Sequence, residues 1–183
     1  LIAVMAGGGA DGYAMMSTLI EALPIVLEDQ PVSVAVITGP FMPAELNADL
    51  ERQAGRLPIQ MLEAVTDSTS YISAADLVIA MAGYNTTVEI LRMKTPAILI
   101  PREGPSAEQR TRARLFAEKR WVNMIDPDEL TPDNLAQSIS SYLRHPNGLK
   151  PSTLPNLSGA AVAARHTLAA LASKKEGSHT QAA

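Results

Sequence analysis

Six short apolar runs alternate with six segments of helical spacing along most of the chain, and this alternation restricts the fold more than any other feature. The runs are Leu1–Ala6, Val32–Thr38, Ile59–Leu62, Leu77–Met81, Ala97–Pro101 and Val122–Ile125. Tyr13–Glu28, Pro43–Gly55, Thr66–Ala75, Thr86–Met93, Glu108–Lys119 and Pro132–Leu143 follow them with apolar residues at helical intervals. Several runs are continuously apolar rather than alternating, as a strand covered on both faces requires. Strand–helix units repeated in this way predict an α/β fold, a Rossmann-like doubly wound parallel sheet of about six strands. In such a sheet ligands bind beyond the carboxyl ends of the strands, so chemistry is sought in the loops that follow them.

A chain of 183 residues, 46% of them hydrophobic, is long enough to bury one core. Its 15 Lys and Arg against 19 Asp and Glu leave a net charge of -4, with no basic excess for a nucleic-acid backbone. The absence of cysteine excludes disulfides, thiolate zinc sites and a thiol nucleophile. His145, His166 and His179 are scattered, and no metal site is expected. No apolar run reaches the roughly 20 residues of a membrane span. The first residue is Leu1, already inside an apolar run, which predicts that the chain is part of something longer. Residues 1–148 are expected to form the ligand-binding domain. Residues 149–183 are expected to be a linker around Pro151–Pro155, an Ala-rich helix over Gly159–Ser173, and a frayed polar tail from Lys174 to Ala183.

Three loops carry candidate chemistry. Gly7-Gly-Gly-Ala-Asp-Gly12 lies between the first strand and the first helix, where glycines let backbone amides approach an anion at a helix N-terminus. Gly7, Gly9 and Gly12 fit a dinucleotide fingerprint, but the second strand ends Ile37-Thr38-Gly39-Pro40 without the acid that an NAD ribose requires. A tight turn with no ligand is the other reading. Met81-Ala-Gly-Tyr-Asn-Thr-Thr-Val-Glu89 repeats the arrangement after the fourth strand, with Gly83 freeing the turn and Asn85, Thr86 and Thr87 at the helix start. Glu89 either closes a capping box with Thr86 or accepts the two hydroxyls of a ribose, and local sequence leaves both open. In the loop after the fifth strand, Glu108 and Gln109 either open a helix or clamp sugar hydroxyls. Arg102 or Arg110 is available for a phosphate, Arg112 and Arg114 read as a solvated face, and Asp67 and Asp76 read as cap and strand-edge residues.

Three such loops in this order resemble the C-terminal, donor-binding half of GT-B glycosyltransferases. The likeness is strongest to the peptidoglycan GlcNAc transferase family and the bacterial "predicted glycosyltransferase" proteins near it. It rests on Ala75-Asp-Leu-Val-Ile-Ala-Met-Ala-Gly-Tyr-Asn-Thr-Thr-Val-Glu-Ile-Leu, on Lys94-Thr-Pro-Ala-Ile-Leu-Ile-Pro101 and on Glu108-Gln109, and it covers roughly residues 1–145. The resemblance implies that Gly8, Gly9, Asp11 and Gly12 lie at a diphosphate, with Ala10 and Asp11 standing where the family has Ser and Gln. It implies that Ala64 and Val65 read uracil through their backbone, that Gly83, Tyr84, Asn85, Thr86 and Thr87 form the phosphate turn, and that Glu89 holds the ribose. Arg102 would then meet the diphosphate and Glu108 and Gln109 the donor sugar, Glu108 departing from the family's usual Gln.

The function so implied is transfer of a sugar from a UDP-sugar to an acceptor hydroxyl, with no metal and no cofactor. No general base is evident in these residues; the resemblance puts it in an N-terminal acceptor domain that this chain lacks, so the chain alone would bind the donor without transferring it. The implied location is cytoplasmic, with any membrane contact peripheral and made through the missing half or a partner subunit. Two alternatives share the donor half. One is a non-catalytic donor-binding subunit recruited by a membrane partner, with the 159–173 helix as its docking element. The other is a UDP-GlcNAc 2-epimerase-like enzyme, whose acid and base would have to come from Asp11, Glu103 or Glu108.

Overall fold

The computed structural model describes residues 1–104, 107–145 and 154–178. Six strands, β1 (Ile2–Met5), β2 (Val34–Ile37), β3 (Ile59–Leu62), β4 (Leu77–Ala80), β5 (Ala97–Leu99) and β6 (Asn123–Met124), form one sheet. They alternate with α1 (Tyr13–Asp29), α2 (Ala44–Ala54), α3 (Ser68–Ala74), α4 (Tyr84–Met93), α5 (Glu108–Glu118) and α6 (Pro132–Arg144), followed by α7 (Gly159–Ser178). All neighbouring strands pair in parallel, in the order β3-β2-β1-β4-β5-β6. The expected doubly wound sheet is therefore present, strand for strand.

Burial explains why the inner strands read as continuous apolar runs. Every residue of β1, β2, β4 and β5 is buried, because helices cover both faces. β3 and β6 are the sheet edges and are only partly covered. Alternate residues of β1 serve opposite cores: Ile2 and Val4 pack with Met16, Leu19 and Leu23 of α1 and Leu135 and Ile139 of α6. Ala3 and Met5 pack on the other face with Ile72 of α3, Ile90 and Leu91 of α4 and Ala113 of α5.

The chain winds outward from β1 to β3, returns to place β4 beside β1, then winds the other way to β6. Connections leaving β1 and β4 thus diverge to opposite faces, and a crevice opens between them at their carboxyl ends. Gly7–Asp11, Met81 and Gly83 line it.

The tail differs from expectation. α7 continues through Lys174 to Ser178 rather than ending at Ser173, so the polar tail is helical over that stretch. Lys174, Lys175 and Glu176 are good helix formers whatever their polarity, and they extend the Ala-rich segment that precedes them. Residues 154–158 carry no regular structure, whereas 146–153, including the Pro151 part of the expected linker, and 179–183 lie outside the described residues. Side chains from Gly159 to Leu171 are exposed. No helix among the described residues is long and apolar enough to cross a membrane.

Candidate functional site

The glycine loop is shaped first by its neighbour in the fold. Phe41 donates its amide to the Gly8 carbonyl at 2.7 Å, and the loop after β2 lies backbone to backbone against the loop after β1. Gly9 has φ of 96°, and a Cβ there would overlap the Thr38 carbonyl oxygen; one on Gly39, at φ 94°, would stand 2.5 Å from the Gly7 carbonyl oxygen. Close approach of two backbones therefore accounts for Gly9, a cause distinct from both the ligand and the isolated tight turn that the sequence left open. α1 starts immediately beyond, with Gly12 as its cap, no capping side chain and no acid in its first turn. No side chain of the helix itself therefore offsets its positive end.

The loop after β4 behaves differently. Gly83 is the N-cap of α4 at φ -62°, an ordinary backbone conformation, and a Cβ there would meet nothing within 4 Å. Neither strain nor packing requires glycine at this position; its effect is to leave the crevice open. No side chain caps the first-turn amides of α4. The buried Thr87 hydroxyl donates back to the Gly83 carbonyl at 2.6 Å, so Thr87 holds the turn together and turns no group toward the crevice.

These two loops meet in one open cleft of about 210 Å³, lined by Ala6–Asp11, Met81, Gly83, Thr86, Arg102 and Gln109. The third loop closes it: Gln109 Oε1 accepts the Arg102 amide at 3.3 Å, leaving the Gln109 amide nitrogen uncommitted by that bond. Arg102 Nη1 reaches across to Asp11 Oδ2 at 3.2 Å. Arg110, the other phosphate candidate, is held by Asp126 and Asp128 at 3.1 and 3.2 Å, away from the cleft lining.

Glu89 forms no capping box with Thr86, because Gly83 rather than Thr86 caps the helix. It stands one turn beyond Thr86 on the same helix face. There its Oε2 accepts the Ser68 hydroxyl at 3.2 Å, which ties α4 to the start of α3. Ala64 and Val65 lie in the loop just before Ser68; Ala64 is exposed and Val65 half-buried. Neither lines the cleft, nor do Gly12, Tyr84, Asn85, Glu89 and Glu108. The Glu89–Ser68 bond nevertheless connects the cleft wall to the Ala64–Val65 loop. Asp67, between them, accepts the Ser70 amide at 3.1 Å and caps α3. The Ser70 hydroxyl and amide together hold its carboxyl below the usual carboxylate range.

Arg112 is the residue that sequence reading misplaced. Its side chain is only 14% exposed, Nη1 donates to the Ala82 carbonyl at 2.6 Å, and the guanidinium lies 5.5 Å from the centre of the exposed Tyr84 ring. It also pairs with Glu108, the i,i+4 partner that sequence spacing offered as a signal. Glu108 is thereby engaged on the rim and Asp11 by Arg102, while Glu103, the third carboxylate an epimerase-like chemistry would draw on, lines the neighbouring cavity and not this cleft. Among the described residues no group of three His, Cys, Asp or Glu gathers that could hold a metal ion.

Solved glycosyltransferases share this architecture. MurG of Acinetobacter baumannii superposes with a TM-score of 0.66 at 20% identity, over 84% of this chain and 42% of that one. The glycosyltransferase VinC, solved in complex with dTDP, gives 0.59 at 17% identity over 79% and 33%. At such identities the likeness is one of fold, and the fold is that of a GT-B glycosyltransferase domain.

Sequence carries the assignment further. Residues 2–167 match the glycosyltransferase family 28 C-terminal domain, and the chain belongs to that family. Its relatives include the UDP-N-acetylglucosamine–N-acetylmuramyl-(pentapeptide) pyrophosphoryl-undecaprenol N-acetylglucosamine transferases. That of Natranaerobius thermophilus is 25% identical over 146 residues, 76% of this chain and 39% of the relative. The one from Anaeromyxobacter sp. is 31% identical over 144 residues, 76% of this chain and 37% of the relative. The chain thus spans about 40% of the length of the proteins it matches.

Proposed function

We propose that this chain is the donor-binding domain of a glycosyltransferase that moves a sugar from a UDP-sugar to an acceptor hydroxyl. The observation that carries the reading is the single cleft shared by the glycine loop, the α4 N-terminus and Arg102. The α1 and α4 N-termini, each equivalent to roughly half a positive charge, face the diphosphate together with the Arg102 guanidinium. As the bond from sugar to diphosphate breaks, negative charge grows on the departing oxygen, and these fixed donors stabilise it without reorganising. Glu89 accepts the ribose hydroxyls, the backbone of Ala64 and Val65 reads the uracil edge, and Gln109 meets the donor sugar, with Glu108 at the rim.

A divalent cation takes several oxygen ligands. Among the described residues the cleft lining offers one carboxylate, Asp11, already paired with Arg102, so we assign charge neutralisation to amides and guanidinium and expect no metal requirement. The base that activates the acceptor belongs to a separate acceptor domain, which in this reading also carries any peripheral membrane contact.

Calorimetric and thermal-shift titration of the chain with UDP, dTDP, GDP and ADP tests the proposal. UDP at about 100 times its dissociation constant stabilises the fold by roughly 2.7 kcal/mol, and chelator leaves that gain unchanged. A chain indifferent to all four, or one preferring a purine nucleotide, overturns it.

Gly83→Ala separates site from scaffold. Alanine is a poorer N-cap than glycine but also stiffens the unfolded chain, so stability changes by only about 0.5 kcal/mol. The added methyl stands in the open crevice, and UDP affinity is expected to fall about tenfold, or roughly 1.4 kcal/mol. Unchanged UDP affinity in a folded Gly83→Ala chain would place the diphosphate elsewhere.

A further inference from the structure

Among the described residues the side-chain charges lining the cleft sum to zero, because Asp11 and Arg102 are the charged ones and they face each other at 3.2 Å. The pair also stands at the boundary between this cleft and a second, more apolar cavity of about 210 Å³. Asp11, Met81 and Arg102 line both, whereas Met15, Ile100, Leu130 and the carboxylate of Glu103 belong to the second alone. Arg102 is 38% exposed and Asp11 51% exposed, so water screens the pair and its strength is small. An ion pair this weak, placed where two helix N-termini attract an anion, is one that an arriving anion exchanges.

We infer that Asp11 is an internal counter-ion that competes with the donor's diphosphate for Arg102. The inference rests on the donor-site reading above. The Asp11 carboxylate holds the Arg102 guanidinium across the opening. A diphosphate seated on the α1 and α4 amides takes that guanidinium over, and Asp11 is left unpaired beside the bound anion. Repulsion between carboxylate and phosphate then works against tight binding. No covalent step is involved: an ion-pair partner is exchanged, and it is regained when the nucleoside diphosphate leaves. Asp11 thereby weakens retention of the product, a positioning role exerted through Arg102.

The two residues give opposite signs in a titration, which no purely structural role would produce. UDP binding is measured by calorimetry for the wild-type chain, Asp11→Asn, Arg102→Gln and the double variant, with thermal unfolding of each recorded without ligand. Asp11→Asn is expected to bind UDP about fivefold more tightly and Arg102→Gln about tenfold more weakly. In the Arg102→Gln background the gain from Asp11→Asn shrinks to about twofold, since only the direct repulsion remains to be relieved. Raising the salt concentration compresses the difference between wild type and Asp11→Asn. Unchanged or weaker UDP binding by a folded Asp11→Asn chain overturns the inference while leaving the donor site intact. An equal gain in both backgrounds also overturns it, because Arg102 is then not the object of competition. Absence of UDP binding in all four proteins removes the donor reading itself, and this inference with it.

Discussion

Replacing Glu89 by alanine is expected to weaken UDP binding about a hundredfold, roughly 2.7 kcal/mol, while the unliganded chain stays within about 1 kcal/mol of wild-type stability. A carboxylate accepting two ribose hydroxyls makes charge-assisted bonds, each worth about 1.5–3 kcal/mol where water is excluded and less at this half-buried position. Removing the side chain forfeits both at once. The folded chain loses only the 3.2 Å bond from the Ser68 hydroxyl. The α4 backbone remains fixed by Thr87, Ile90 and Leu91, all buried on the opposite side of the helix. Had Glu89 closed a capping box with Thr86, its loss would have weakened the start of α4 instead. With Gly83 as the cap, that stability cost is absent. Inorganic pyrophosphate supplies the control, since it fills the phosphate positions without a ribose. Its affinity should be the same for Glu89→Ala and wild type. Equal weakening of UDP and pyrophosphate would mean that the substitution deforms the α4 N-terminus, and equal UDP affinity would remove Glu89 from the ribose site.

The sheet was legible because its inner strands are buried on both faces. Ala97–Leu99 and Leu77–Ala80 have no polar residue, as strands covered by helices on both faces require, and their shortness and alternation with helical segments favoured that reading. The edge strand β3 was legible for a different reason: Gln60 interrupts its apolar residues where the sheet meets water. The position of the cleft followed from connectivity, since a β1–β4 switch point needs only the order of strands. What the letters do not carry is the cause of each glycine. Gly9 and Gly83 look alike in sequence, yet one is dictated by a neighbouring backbone and the other stands in open space. Arginines posed the same difficulty. Arg102, Arg110 and Arg112 sit within one charged stretch, but partners brought in from Asp11, Asp126, Asp128 and Ala82 send them to three different tasks. Those partners lie 16 or more residues away, beyond the reach of local spacing. Thr87 was grouped with Thr86 by adjacency, although successive helical residues face different ways, and Thr87 faces the core.

Gly9→Ala is expected to cost about 3 kcal/mol or more of folding stability, lowering the melting temperature by roughly 6–12 °C. Two penalties combine there. A φ of 96° lies in the region that L side chains rarely adopt, and the new methyl would overlap the Thr38 carbonyl oxygen. That oxygen cannot yield easily, because the Thr38 amide donates to the Leu62 carbonyl at 2.9 Å and anchors the end of β2 to β3. Gly7→Ala isolates the first penalty. Gly7 has φ of 63° but nothing within 4 Å of a built Cβ, so only the left-handed conformation is charged, about 1–2 kcal/mol. Chemical unfolding of the two variants should therefore separate them by more than about 1 kcal/mol, well beyond the error of such comparisons on one scaffold. If both lose the same stability, backbone conformation alone explains the loop and the packing of the β1 and β2 loops against each other contributes nothing. The order Gly9→Ala far below Gly7→Ala, with Gly83→Ala near wild type, would instead mean that the glycines of one cleft are there for separate physical reasons. The rim of the crevice is then built by backbone contact on its β2 side and left open for a ligand on its α4 side.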